Sequence, residues 1–411
     1  MTPDFERALD AYAELIVKVG LNLRAGQRLI IRAPLEAAPL VRRVAAHAYD
    51  NGSRLVEAIW SDPELLLVRY NHAPADSFAE VSDWPIRAGL EYAENGHAFL
   101  SVGGIDPDLL KGVPAERVAT VRRAEGMAGM PVSRLISADA INWCVVGYAT
   151  QAWAARVFPN LPPDERQQRL WEAIFRTVRL DAPSPLAAWQ AHADSLAART
   201  KMLNDKQYVA LRFTGPGTDL TVGLPANHNW IGGAAPTGVG ISNIANLPTE
   251  EVFTAPHRRR VDGTVRATMP LSLSGNLVED FSLTFKEGRV VDLRAAKGEE
   301  LLRSQVEIDE GAARLGEVAL VPHSSPIAQS GILYYNTLFD ENAASHIALG
   351  RAYRNCIDGC EGLDDEDFAA LGGNNSATHL DFMIGSGEID VDGLTGDGTA
   401  EPLMRRGEWA N

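Results

Sequence analysis

Three cysteines in 411 residues, Cys144, Cys356 and Cys360, are too few and odd in number to build a disulfide framework. Cys356 and Cys360 stand four apart in NCIDGC, but no second Cys or His pair flanks them at zinc-site spacing, so they read as structural thiols. No apolar run is long enough to cross a bilayer. Positive charge is also short, because 38 Lys and Arg face 54 Asp and Glu, which leaves a net charge of −16. That balance argues against nucleic acid or an anionic membrane as a partner, and it suits cationic ligands such as a free α-amino group. The opening MTPDFERALD lacks a basic segment followed by an apolar run, so the expected location is the cytoplasm. Phosphate-cradling loops are missing too: Gly103-Gly104 and Gly147 follow apolar strands, yet neither opens into G-x-G-x-x-G.

What is present is an ordinary globular composition, 45% hydrophobic and 22% charged, in a chain long enough for two domains. Thr2-Pro3 opens a helix, with Thr2 as its expected cap, and Phe5, Leu9, Tyr12 and Ile16 form its apolar face. A strand at 28–31, a helix through Leu40, Val44 and Ala48, and a strand at 55–60 make a β-α-β unit, which implies parallel strands. Strands at 98–102 and 143–146 extend it. Asp164 is the expected cap of a helix carrying Leu170, Ile174 and Val178, and DAPSP at 181–185 is the best linker. From Gln207 the pattern changes to a hairpin and several further strands, with a helix from Glu299 to about Ala313 between them. The expected architecture is an α/β N-terminal domain with a parallel sheet, residues 1–195, followed by an α+β C-terminal domain, residues 196–411.

Four stretches of that second half carry metal-ligand chemistry. In NNSATHLDFMIG, His379 and Asp381 are two apart on an expected strand and therefore share a face. In NLPTEEVFTAP, Glu250 and Glu251 adjoin an apolar strand, and only one of two neighbours can enter a given site. In LGEVALV, Glu317 leads a buried run, where a carboxylate is costly unless paired or metal-bound. In FDENAASHIAL, Glu341 and His346 stand near the start of an expected short helix. Oxygen and imidazole donors without thiolate suit Zn, Mn or Co, with Mg also admissible, and the surplus of carboxylates points to two ions bridged by one of them. Tyr353 by spacing alone reads as a packed helix aromatic. His257, beside three arginines in APHRRR, reads as structural or as part of a groove.

The segments NLPTEEVFTAPHRRRVDGTV, LGEVALVPHSSPI, LFDENAASHIALGRAY and NNSATHLDFMIG together resemble the signature stretches of the aminopeptidase T/S family, peptidase family M29. The resemblance implies a metallo-aminopeptidase, a hydrolase that releases N-terminal residues from peptides through water activated by two divalent ions. It implies Glu250, Glu317, Glu341, His346, His379 and Asp381 as metal ligands, with Glu317 bridging. It also implies catalytic roles for Tyr353 and Glu317, and a homodimer with enclosed active sites. His323, in VPHSSPI, departs from the residue expected there, which would alter the pocket wall or add a nitrogen near the metals. Two alternatives stay open: a metal-holding relative without turnover, and a two-metal amidohydrolase acting on a non-peptide amide.

Overall fold

The computed structural model describes residues 3–104, 106–273, 276–360 and 362–410. Two compact units emerge, Met1–His192 with Ala234–Pro248, and Ala193–Gly233 with Thr249–Asn411. The expected Thr2 cap lies outside the described residues.

The first unit is built on a five-stranded parallel sheet. Its spatial order is Asn246–Leu247, Trp143–Gly147, Ala98–Gly103, Arg28–Pro34, Leu55–Ser61. The helix Pro3–Leu15 buries Leu9 and Tyr12, and Tyr12 Oη donates to the Gly147 carbonyl at 3.1 Å. The helix Ala38–Asp50 buries Leu40, Val41, Val44 and Ala48, as the 3.6-residue period requires. The helix expected to start at Asp164 is Pro163–Thr177, and its cap position is Pro162. Asp164 instead sits in the first turn, where its negative charge complements the positive end of the helix dipole.

In the second unit, a nine-stranded sheet carries the hairpin Ala210–Gly215/Thr218–Gly223 and the long pair Asn276–Lys286/Arg289–Lys297. A second sheet of five strands is antiparallel throughout, in the order His379–Met383, His346–Gly350, Leu315–Leu320, Val252–Thr254, Ile231–Gly232. Side chains alternate across this sheet. On one face Val318, Leu320, Ile347, Leu349 and Phe382 join the core shared with the larger sheet, where Phe281 and Phe382 rings lie 5.3 Å apart. On the other face stand Glu317, His346, His379 and Asp381, separated by the small residues Ala319, Ala348 and Gly350. The polar face is therefore the alternate set of three largely apolar strands, and its small residues leave room above the sheet. The helix expected from Glu299 to about Ala313 ends at Val306, and Gly311–Ala313 forms a separate 3-10 turn. His346 begins a strand rather than standing near a helix start, because the helical stretch Thr337–Asp340 continues only as the 3-10 turn Glu341–Ala343.

Candidate metal centre

Strand register assembles the site. Glu317, Ala348 and Asp381 lie side by side across three strands, and Gly350 stands opposite His379. A register irregularity between Leu315 and Glu317 includes Gly316, where a Cβ would lie 2.4 Å from the carbonyls of Gly350 and Arg351. Only glycine admits that approach, so the strand carrying Glu317 seats closely on its neighbour.

Both imidazoles are oriented by the backbone. His346 Nδ1 donates to the Ala344 carbonyl at 3.1 Å, and His379 Nδ1 donates to the Arg351 carbonyl at 2.7 Å. Each Nε2 is thereby aimed at carboxylates, the outer arrangement that fixes the tautomer of a ligating histidine. His346 Nε2 lies 3.1 Å from Glu251 Oε2 and 3.4 Å from Glu317 Oε1. His379 Nε2 lies 3.5 Å from Glu317 Oε2 and 3.2 Å from Asp381 Oδ1. The two oxygens of Glu317 thus face different histidines. Among the described residues, donor atoms within 4.8 Å of one another form two groups, Glu251–Glu317–His346 and Glu317–His379–Asp381, which share Glu317.

One expected ligand changes. Glu251, rather than Glu250, faces the cluster. Val252 pairs with Leu320 and turns into the core, while Phe253 pairs with Ala319 on the polar face. Counting back by alternation puts Glu251 on the polar side and Glu250 on the other. Glu250 is buried and its N–H donates to Asn342 Oδ1 at 2.7 Å, which ties this segment to the turn carrying Glu341. Glu341 belongs to neither group of three, although its carboxyl senses the charges of Glu251, Asp381 and Glu317.

Burial, with repulsion from Glu251 and Asp381, pushes the Glu341 carboxyl well above the usual range. Burial also raises Glu317. For Asp381, burial is outweighed by the hydrogen bond and charge of His379, and its carboxyl is lowered. Burial disfavours charge on both imidazoles, but Glu251 and Glu317 raise His346 well above its ordinary value, and Asp381 and Glu317 raise His379 to about 9. Protons here compensate packed carboxylates, which is the task a divalent cation performs at an oxygen–imidazole site. The residues fit such ions.

This predicts a pH dependence for the metal-free protein. The folded value of His379, about 9, exceeds its unfolded value of about 6.5. Its stabilisation is complete below pH ~6.5 and is lost as pH rises through ~9. Metal affinity runs the other way, since imidazole must shed its proton to ligate. Calorimetric titration with Zn at pH 7, in buffers of different ionisation enthalpy, is expected to show net proton release. Identical heats in all buffers would contradict it.

Tyr353 adjoins the cluster, with its ring 5.2 Å from that of His379 and 6.0 Å from that of Phe253. It follows the strand His346–Gly350 and is 37% exposed, so it is neither on a helix nor a packed aromatic. Desolvation of its hydroxyl beside Glu317, Asp381, Glu341 and Glu251 raises the phenol, which stays protonated. His257 stands outside both groups; it receives the Arg259 N–H at 3.1 Å and lies against Gly372. His323 also stands outside them, against Gly387 and Gly407. All three cysteines are buried. A cavity of about 400 Å³ bordered by Arg289, Asp292, Arg303 and Glu310 contains none of the clustered residues. Volume alone does not locate this site; donor chemistry does.

Comparison with known proteins supplies the family. The family model for the thermophilic metalloproteases, M29, matches residues 5–409. The chain belongs to the M29 metalloprotease family. It is a hydrolase acting on peptides that uses divalent metal. Aminopeptidase 2 of Geobacillus stearothermophilus is 48% identical over 406 residues, covering 99% of this chain and 98% of that protein. Aminopeptidase T of Thermus aquaticus is 48% identical over 98% of this chain and 99% of its own length. The solved structure of wild-type AmpT from Thermus thermophilus superposes with a TM-score of 0.94 at 48% identity, covering 99% of this chain and all of that one. This M29 fold joins a parallel-sheet unit to an antiparallel one, and no helix among its described residues is long and apolar enough to cross a membrane.

Proposed function

We propose that this metalloprotease is an aminopeptidase that uses two divalent ions, Zn, Co or Mn, to hydrolyse the first peptide bond of substrates with a free N-terminus. The observation that carries the reading is the shared Glu317, whose two oxygens face two separately anchored histidines. Glu251, Glu317 and His346 would hold one ion, and Glu317, His379 and Asp381 would hold the other. When bound, the ions supply Lewis acidity, lowering the pKa of water and polarising the scissile carbonyl.

The chain's own groups do the rest. Glu341, outside both ligand groups and raised by burial and then by its acidic neighbours, takes the role of general base. It accepts a proton from the attacking water and returns it to the departing amine. Tyr353, held protonated, donates a hydrogen bond to the developing oxyanion. The acidic surroundings favour the ammonium or amine end of a peptide over its carboxylate end. The expected homodimer is checked by light scattering of the purified protein, where a single-chain mass would contradict it.

The decisive assay is hydrolysis of amino-acid p-nitroanilides before chelation, after it, and after return of Zn, Co or Mn. Activity is expected to vanish with chelator, to recover with metal, and to be absent on N-acetylated analogues. Equal turnover of free and acetylated amines would favour a general amidohydrolase. Stoichiometric metal with no turnover would favour a metal-holding relative.

A further inference from the structure

Tyr353 reaches the metal centre from beyond the end of the strand His346–Gly350. Its backbone is extended, and the 3-10 turn Arg354–Cys356 begins at the next residue. Contacts with the rings of Phe253 and His379 leave it 37% exposed, so the aim of its hydroxyl depends on how firmly the backbone is held. In an extended segment, neighbouring side chains leave on opposite sides, and Arg354 therefore departs from the side opposite Tyr353. Its guanidinium makes three contacts at once. The central carbon lies 4.4 Å from the centroid of the Phe368 ring, Nη1 donates to the Leu363 carbonyl at 3.1 Å, and Nη2 donates to Asp365 Oδ1 at 2.6 Å. Phe368 is a firm seat: it is fully buried on the helix Asp365–Ala370, and a Cβ at Gly373 would lie 2.3 Å from its ring.

The turn after Tyr353 is closed by further bonds. The Tyr353 carbonyl accepts the Cys356 N–H at 3.2 Å, and the Arg354 carbonyl accepts the Ile357 N–H at 3.1 Å and the Cys360 S–H at 2.8 Å. From the facing segment, the Asn229 N–H donates to the Cys356 carbonyl at 2.8 Å. Asp365 is 80% exposed, so its ion pair alone contributes little. The carbonyl and the buried ring make the anchor, and they call for a planar fork that stacks and donates together, which a lysine ammonium does not provide.

We infer that Arg354 is a positioning residue for Tyr353, holding the backbone of the tyrosine so that its hydroxyl meets the developing oxyanion. The inference rests on the hydrogen bond Tyr353 donates in the proposed reaction and adds the residue that aims it. The test is a double-mutant cycle on leucine p-nitroanilide, comparing metal-loaded wild type, Arg354→Lys, Tyr353→Phe and the two changes combined. Tyr353→Phe is expected to lower kcat by about 10²-fold, the cost of one oxyanion donor. Arg354→Lys should lower kcat by about tenfold with KM and bound metal unchanged, because slight misplacement is felt in the transition state. In the Tyr353→Phe background the same change should cost less than about twofold, since no hydroxyl remains to aim. Amide exchange at Cys356 and Ile357 in metal-free Arg354→Ala should quicken by about tenfold. If Arg354→Ala fails to fold, Arg354→Lys, which keeps the charge, decides. Equal losses in both backgrounds, or a folded Arg354→Lys within about twofold of the wild type, would overturn the positioning role and leave the aminopeptidase reading intact. Near-normal rates for Tyr353→Phe would remove Tyr353 from the reaction and Arg354 with it. No turnover of any free-amine substrate by the wild type would sink the aminopeptidase reading itself.

Discussion

Glu317→Gln is expected to lower kcat/KM by at least about 10³-fold and to remove bound metal. Glu317 is the one residue common to both groups of donors, with Oε1 3.4 Å from His346 Nε2 and Oε2 3.5 Å from His379 Nε2. An amide offers one neutral oxygen and an NH₂ group that repels a cation, so both positions lose their common anionic ligand. The fold should not suffer. Burial and the charge of Asp381 already raise the Glu317 carboxyl, so the neutral, equal-sized amide relieves repulsion in the metal-free state. Thermal unfolding in chelator should therefore match or exceed that of the wild type, while the rise in Tm on adding metal should disappear. Elemental analysis alongside the kinetics separates the outcomes: a Glu317→Gln variant that kept two ions per chain and near-normal rates would refute the bridge.

Adjacent carboxylates supply the second large effect. Glu251→Gln is expected to lose at least about 10²-fold in activity, with weaker metal retention, whereas Glu250→Gln should stay within about tenfold of the wild type. The contrast rests on strand parity. Glu251 Oε2 stands 3.1 Å from His346 Nε2, while Glu250 contributes its N–H to Asn342 Oδ1, a contact that a side-chain amide leaves in place. Metal competition against a chromogenic chelator reads the difference without turnover. Similar losses in both variants, or the greater loss in Glu250→Gln, would show that the site takes its carboxylate from the other face.

The residues themselves carry the signal for several parts of the site. His379 and Asp381 share a face because a strand alternates side chains, and the apolar run around them made the strand legible. Glu317 stood out as a carboxylate in an apolar run, and it is 5% exposed. The choice between Glu250 and Glu251 was not legible, because Val252 and Phe253 are both apolar and give no alternation to count from. Only the pairing of Val252 with Leu320 and of Phe253 with Ala319 reveals which one faces the core. His346 was misplaced for a related reason: FDENAASHIAL has helix-compatible spacing, and it becomes a strand because Ile347 and Leu349 complete a sheet core contributed by distant segments. The return of Ala234–Pro248 to the first unit depends likewise on parallel pairing between residues about a hundred positions apart.

The chemistry available is legible in the residues alone: carboxylates and imidazoles without thiolate, an acidic chain, one half patterned for a parallel sheet and the other for antiparallel strands. These follow from composition and from periods of 2 and 3.6 residues, which are local properties. Folding settles which carboxylate of a pair turns inward and how the oxygens of Glu317 divide between two histidines. Those depend on strand register and on backbone carbonyls holding imidazole rings, contacts between segments far apart in the chain that no local pattern encodes.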